Sequence, residues 1–421
     1  MKKNYLIILV GCLIFCAKNR VFAQMNTTEL HRFATTDWHF PKIIFQNQQA
    51  KDTTFKPSIQ VGALLQTVGV LQEAELTAIQ DANNSTQRWS KQMNIYRARI
   101  LLGGNLTRKT SFFMETDIAT PIGLTNANGN KTMQVSPIIL DAQIEHTFHK
   151  KIGIIAGLQL VGNTRNALQS AAALMALDFG YYQYAYNLLQ TSPLQNNFGR
   201  DIGLNFRGFL AKDRLEYRVG VFSGRNIDPL GTLRYIGRFN YNFLDKEQDL
   251  YYTGTSLGKS KIFAIGGGFD MQDRYQSLAI DAFLDIPLGN TGSLTANTAF
   301  SYINGGDNPA IKALSRYIPN QTIQFLELGY YLKAAKLQPY LKYEAQNIRA
   351  TALQANKDIF FDELNSKQRM GLGLNYYLSS YNANIKLLYE MVTYNRIALT
   401  GIQTEKINRS EIWLQLQIFI F

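Results

Sequence analysis

From Ile59 to the C-terminus, apolar and polar residues alternate with a period of two, in segments broken by clusters of Gly, Asn, Asp or Lys. A period of two sends successive side chains to opposite faces and means strands. The segments are roughly ten residues long, the length of a tilted strand crossing a bilayer. Sixteen can be marked: Ile59–Leu71, Asn94–Leu106, Thr110–Ile118, Pro137–Phe148, Ile152–Leu160, Arg200–Leu210, Leu215–Phe222, Leu233–Phe243, Lys261–Gln272, Gln276–Leu288, Ser293–Asn304, Thr322–Lys333, Leu337–Gln346, Lys367–Leu378, Tyr381–Tyr394 and Ser410–Phe421. The links after strands 2, 4, 6, 10, 12 and 14 are short, whereas most links after odd-numbered strands are long and polar. Two links break this parity: Leu244–Ser260, after strand 8, is long, and the one around Asp273, after strand 9, is short.

Lipid offers no partner to backbone N–H and C=O groups, so an open sheet cannot span it and a closed barrel can. The pattern therefore predicts an all-β, transmembrane antiparallel β-barrel of about sixteen strands over 59–421. Strand 8 shows the two faces, with Leu233, Tyr235, Phe239 and Tyr241 opposed to Arg234, Arg238 and Asn240. In strand 2, Tyr96, Ala98, Ile100 and Leu102 oppose Arg97 and Arg99. A soluble sheet with one wet face would alternate in the same way. Three features favour the membrane: the N-terminus, an aromatic content of 12%, and a chain that ends in Phe421 with Phe419 two residues before it. At the last strand the faces compete. Gln415 and Gln417 share parity with Phe421, while Ile412, Leu414, Leu416, Ile418 and Ile420 form the cleaner apolar face.

The N-terminus reads as an export signal over 1–23. Lys2 and Lys3 precede an apolar Tyr5–Phe15 stretch, and Val21-Phe22-Ala23 places cleavage before Gln24. Leu9-Val10-Gly11-Cys12 has lipobox chemistry, but Cys12 comes early and apolar residues follow it. Residues 24–58 lack periodicity and read as a periplasmic lead-in. Both cysteines, Cys12 and Cys16, lie in the signal, so the mature chain has no disulfide, thiolate metal site or cysteine nucleophile. Removing the signal takes away four basic residues and no acidic one, and lowers the net charge from +12 to +8. That excess is spread along the chain, unlike a nucleic-acid footprint. No run after the signal is long enough for a membrane-spanning helix, and a hydrophobic content of 46% is too high for a disordered chain.

Nothing in the sequence suggests an enzyme or calls for a cofactor. There is no Gly-x-Ser-x-Gly, P-loop or His-Glu-x-x-His. His31 and His39 fall in the lead-in, and His146 and His149 flank a short turn.

Several segments together resemble the phosphate-selective porins of the O and P type. They are Tyr96-Arg97-Ala98-Arg99 followed by Gly103-Gly104; Gly199-Arg200-Asp201-Ile202-Gly203; Leu215 to Gly224 (LEYRVGVFSG); and Thr253-Gly254-Thr255-Ser256-Leu257-Gly258-Lys259. The resemblance implies a sixteen-stranded barrel in the bacterial outer membrane, a homotrimer, and a long loop folded into the lumen. It also implies passive diffusion of small solutes, with a preference for anions such as phosphate. The candidate constriction is Gly162–Gly199, whose Asn166–Leu177 stretch has helical spacing and is followed by Tyr181, Tyr182, Tyr184 and Tyr186.

Rings of Arg or Lys favour anions and rings of Asp or Glu favour cations. The pore-lining candidates are Arg97, Arg99, Arg207, Arg218, Arg234 and Arg238, with the last four the best anion path. The same alternation puts as many acids on the lumen face, among them Glu115, Asp117, Asp201, Glu216 and Asp281, so salt bridges bracing the strands are the competing reading. Two other functions stay open. One is a nonconducting barrel serving as receptor, adhesin or scaffold. The other is a sugar channel using the Tyr181–Tyr186 run.

Overall fold

The computed structural model describes residues 55–73, 89–118, 122, 136–182, 199–224, 232–305, 320–348, 366–397 and 404–421. The signal, nearly all of the lead-in, Tyr184 and Tyr186 lie outside them. The strands are β1 (Ser58–Glu73), β2 (Trp89–Asn105), β3 (Thr110–Ile118), β4 (Pro137–His149), β5 (Ile152–Leu160), β6 (Arg200–Leu210), β7 (Leu215–Phe222), β8 (Arg234–Asn242), β9 (Ile262–Gln272), β10 (Tyr275–Pro287), β11 (Gly292–Asn304), β12 (Gln321–Leu332), β13 (Leu337–Ile348), β14 (Lys367–Ser379), β15 (Ala383–Ile397) and β16 (Thr404–Ile420). Each pairs antiparallel with its sequence neighbours, and β1 pairs with β16 from Ala63↔Ile420 to Gln72↔Glu411, so the sheet closes into a barrel with no free edge.

β3, β5, β6 and β7 fall on the bounds that alternation sets. The largest departures are at the long-loop end, where β2 begins at Trp89 and β16 at Thr404. Those extensions carry Ser90, Lys91, Gln92, Lys406 and Asn408. Past the lipid nothing forces one face to be apolar, so pairing continues after alternation has faded.

The outer wall is apolar, with Ile100, Ile202, Leu372 and Ile418 each more than half exposed. Aromatic rings gather at the short-turn end, where Tyr241, Phe243 and Phe263 pack in sequence with centroids 4.8 and 4.9 Å apart. An apolar belt with an aromatic girdle suits a bilayer and its interface. The short turns are also tied to one another. Lys150, after β4, reaches Asp213, after β6, at 2.6 Å, and this hydrogen bond holds the Asp213 carboxyl below its ordinary range.

The structure resolves the competing faces of β16. Ile412, Leu414, Leu416, Ile418 and Ile420 face outward, while Phe419 and Phe421 turn into the lumen. There they join Leu64, Leu101 and Phe113 in an apolar cluster. Gly62 makes room for the last ring: an added Cβ would lie 2.0 Å from Phe421 Cδ2 and 2.6 Å from the Ile420 carbonyl. Gly62→Val is expected to cost about 1–3 kcal/mol, as overpacking does. Unfolding of the refolded barrel in detergent checks this, and an unchanged midpoint would show that the C-terminal ring is not fixed there.

Candidate functional site

All six arginine candidates point into the barrel, and each is engaged. Arg99 bonds Glu115 and Asp117 of β3 at 2.6 and 2.7 Å. Arg207 and Arg218, facing each other across β6 and β7, share Glu216 at 2.7 and 2.8 Å. Arg234 bridges Asp201 and Asp270 at 3.1 and 2.6 Å. Arg238 forks onto Asp281 of β10. Arg97 bonds Asp178 at 2.8 Å. Five of the six are buried, with Arg207 and Arg238 at 1% exposure. The wall also carries ions that the alternation count passed over: Arg200, Asp270, Glu327 and Glu411.

The arginines also hold two chain segments inside the lumen. The first inward segment, 161–182, follows β5 and enters from the long-loop end. It is buried from Asn163 to Leu177. Its Ala-rich stretch does not form the helix that its spacing suggested. It makes two 3-10 turns, Asn166–Leu168 and Ala171–Ala173, and is otherwise extended. The reason is that wall side chains capture its backbone. Lys386 Nζ donates to the Leu174 and Ala176 carbonyls at 2.7 and 2.9 Å. Asn375 donates to the Met175 carbonyl at 2.7 Å, and Gln417 to that of Ala172 at 2.9 Å. The Leu177 N–H donates to the Tyr340 hydroxyl. Ala171 and Ala172 meanwhile sit on the Leu64–Phe421 apolar cluster.

The second inward segment, 243–261, follows β8 and enters from the short-turn end. It is the long link that broke the parity of turns and loops. Arg207 donates to the Gln248 and Asp249 carbonyls at 3.0 and 2.7 Å, and Arg218 to the Leu250 carbonyl at 2.8 Å. The Tyr252 hydroxyl donates to Glu216 at 2.6 Å. These two arginines are therefore largely spent on the segment and on Glu216. Sequence reasoning missed this role, although the length of Leu244–Ser260 on a short-turn side was its signal.

The two segments meet in mid-lumen as a short parallel bridge, Gln169↔Tyr252. The Ser170 N–H donates to the Tyr252 carbonyl at 3.0 Å, Tyr252 N–H to the Leu168 carbonyl at 3.0 Å, and Gly254 N–H to the Ala173 carbonyl at 2.9 Å. Arg165 locks the junction. Its guanidinium bonds Glu247 and the Thr253 carbonyl, and lies 3.7 Å from the centre of the Phe283 ring. A cavity of about 30 Å³ lies beside the bridge, between Arg99, Glu115, Phe179 and Tyr251. That is room for one or two waters.

One expected face is corrected. Alternation put Tyr96 on the lipid side, but the β1–β2 register slips between Gln66 and Thr67, so Gln66 faces Arg97 while Thr67 faces Ile95. Tyr96 is the extra residue of a β-bulge, which re-aims side chains locally. Tyr96 and Arg97 both turn inward, and both grip Asp178. His146 and His149 are engaged at the turns, His146 with the Thr110 hydroxyl and His149 with the Lys151 N–H.

No protein-family model matches this chain, and no curated protein sequence matches it. Solved structures with a similar outline include an anion-selective porin from Comamonas acidovorans (9% identity, 87% of this chain and 100% of that one covered, TM-score 0.49). Others are the outer-membrane channel DcaP of Acinetobacter baumannii (12%, 86% and 97%, 0.49) and OmpF of Salmonella typhi in complex with daunomycin (14%, 86% and 97%, 0.49). At such distances, no solute or selectivity carries over to this chain.

Proposed function

We propose that the protein is a porin-type channel of the bacterial outer membrane, through which small hydrophilic solutes diffuse along a lumen narrowed by two inward segments. The observation that carries this reading is the contrast between the two faces of one closed sheet. The outer face is an apolar belt. The inner face bears arginines, lysines, carboxylates, Gln and Asn on strand after strand. A barrel serving only to hold a surface domain needs no such interior, and a hydrated path does. The inward segments are bound to this wall by hydrogen bonds and salt bridges together with apolar contacts at Ala171, Ala172 and Met175–Leu177.

Anion preference has little support on β6–β8, because Arg207, Arg218, Arg234 and Arg238 are balanced by Glu216, Asp201, Asp270 and Asp281. The homotrimer that the family resemblance implies belongs to the same proposal, and crosslinking of the refolded protein tests it.

A second reading, a nonconducting receptor or scaffold, is favoured by the bridge of the two segments across mid-lumen. Planar-bilayer recording of the refolded mature protein separates them. A channel with this wall is expected to give small current steps and a reversal potential near zero in a salt gradient. Absence of steps from a folded barrel would abandon the channel for the second reading. A strongly anion-sided reversal would refute the balanced wall.

A further inference from the structure

Resting on the channel reading, we propose that Tyr96, Arg97 and Lys342 form a binding site for the carboxylate of a small organic acid. In the closed state the first inward segment fills this site with its own Asp178.

The site is distinct from the other ion pairs of the wall. Arg99, Arg207, Arg218, Arg234, Arg238 and Arg369 each find their carboxylate on a barrel strand. Among the described residues, the carboxylate partner of Arg97 is Asp178, which lies on an inward segment. When that segment moves, the other arginines keep their counter-ions and Arg97 loses its own.

The grip on Asp178 is that of a binding site. The Tyr96 hydroxyl donates to one carboxylate oxygen, and the Arg97 guanidinium donates to the other at 2.8 Å. The β2 bulge is what brings these adjacent side chains to one face. Lys342 Nζ donates to the carbonyls of Asp178 and Phe179 at 3.1 and 2.7 Å, so a second cation faces the same point. It also bonds Glu344 at 2.9 Å, so on release Arg97, which keeps the Gln66 side-chain oxygen at 2.8 Å, is the arginine left without a carboxylate. Farther along the segment, Lys386 donates to the Leu174 and Ala176 backbone carbonyls.

Aromatic surface surrounds the carboxylate. The Arg97 guanidinium lies 4.6 Å from the Tyr96 ring centre, and Trp413 meets Tyr96 edge-on at 6.3 Å, both rings being carried by barrel strands that stay when the segment leaves. A planar apolar body joined to a carboxylate suits these walls. The position is also within reach of solute. After the buried run that ends at Leu177, the Asp178 side chain is 25% exposed. Asp178 is thus a tethered ligand, and a free acid must outcompete its local concentration.

Isothermal titration of sodium benzoate into the refolded mature protein in detergent, at constant ionic strength, tests the proposal. Asp178→Asn should bind benzoate about 10-fold or more tightly than the wild type, since the tethered competitor has lost its charge. Adding Arg97→Gln to Asp178→Asn should abolish binding. Equal affinity of wild type and Asp178→Asn, or full affinity in the double variant, would overturn the site. If Asp178→Asn does not refold, wild type and Arg97→Gln carry the question at high benzoate. Weak saturable binding that Arg97→Gln removes supports the site, and binding that persists, or is absent from both, overturns it. The titration needs no current, so a barrel that binds benzoate but never conducts would defeat the channel reading and leave the site standing.

Discussion

Excising Leu244–Ser260 and joining β8 to β9 by a two-residue turn should raise the unitary conductance severalfold. The barrel should survive, because its closure lies in strand pairs that do not involve this segment. The lumen should change more. Arg165 would lose Glu247 and the Thr253 carbonyl, and the first inward segment would lose its backbone bridge to Tyr252 and Gly254. Arg207 and Arg218 would lose three carbonyl partners and keep one shared carboxylate, Glu216. Reversal should therefore shift toward anions as the current grows. Conductance equal to that of the parent barrel would show that the segment does not limit the path.

Arg238→Met should destabilise the barrel by about 3–5 kcal/mol, the cost of leaving a buried carboxylate without its cation. Arg238 is 1% exposed and binds Asp281 through both terminal nitrogens, while Asp281 also accepts the Arg165 N–H at 3.0 Å. Losing the guanidinium thus strands a charge and loosens the entry of the first inward segment. Adding Asp281→Leu removes that charge and should restore part of the loss, since an apolar pair of similar volume often replaces a buried ion pair at little cost, while the Arg165 N–H is left without its acceptor. Urea unfolding in detergent measures both variants. A loss below about 1 kcal/mol for the single variant is the behaviour of a solvated pair, and would mean that water fills the lumen at this level.

These experiments address a lumen that was only half legible in the amino-acid order. The barrel was legible because lipid imposes one rule on every spanning strand. Outward residues must be apolar, so β3, β5, β6 and β7 could be bounded to the residue and all sixteen strands counted. The inward direction of Arg99, Arg207, Arg218, Arg234 and Arg238 follows from the same alternation. The rule fails where its cause is absent. Past the lipid, β2 and β16 run on with polar residues. At the C-terminus, Phe419 and Phe421 face a local apolar cluster inside the lumen, so polarity could not choose the face. At Tyr96 a single bulge inverted the parity, and no local signal marks it.

What each arginine does was decided by tertiary structure alone. A lumen-facing arginine reads the same in sequence whether it meets water, a carboxylate on the next strand, or a carbonyl of a segment tens of residues away. Lys386 and the Leu174 carbonyl lie 212 residues apart, and Lys342 and the Phe179 carbonyl 163. The sequence by itself determined a closed barrel with an ionic interior, because lipid enforces a local period of two. Which ions face one another, and which face the inward segments, depends on strand register and on two chain segments entering from opposite ends. Those are long-range choices, made by hydrogen-bond satisfaction in a confined space and written in no local pattern.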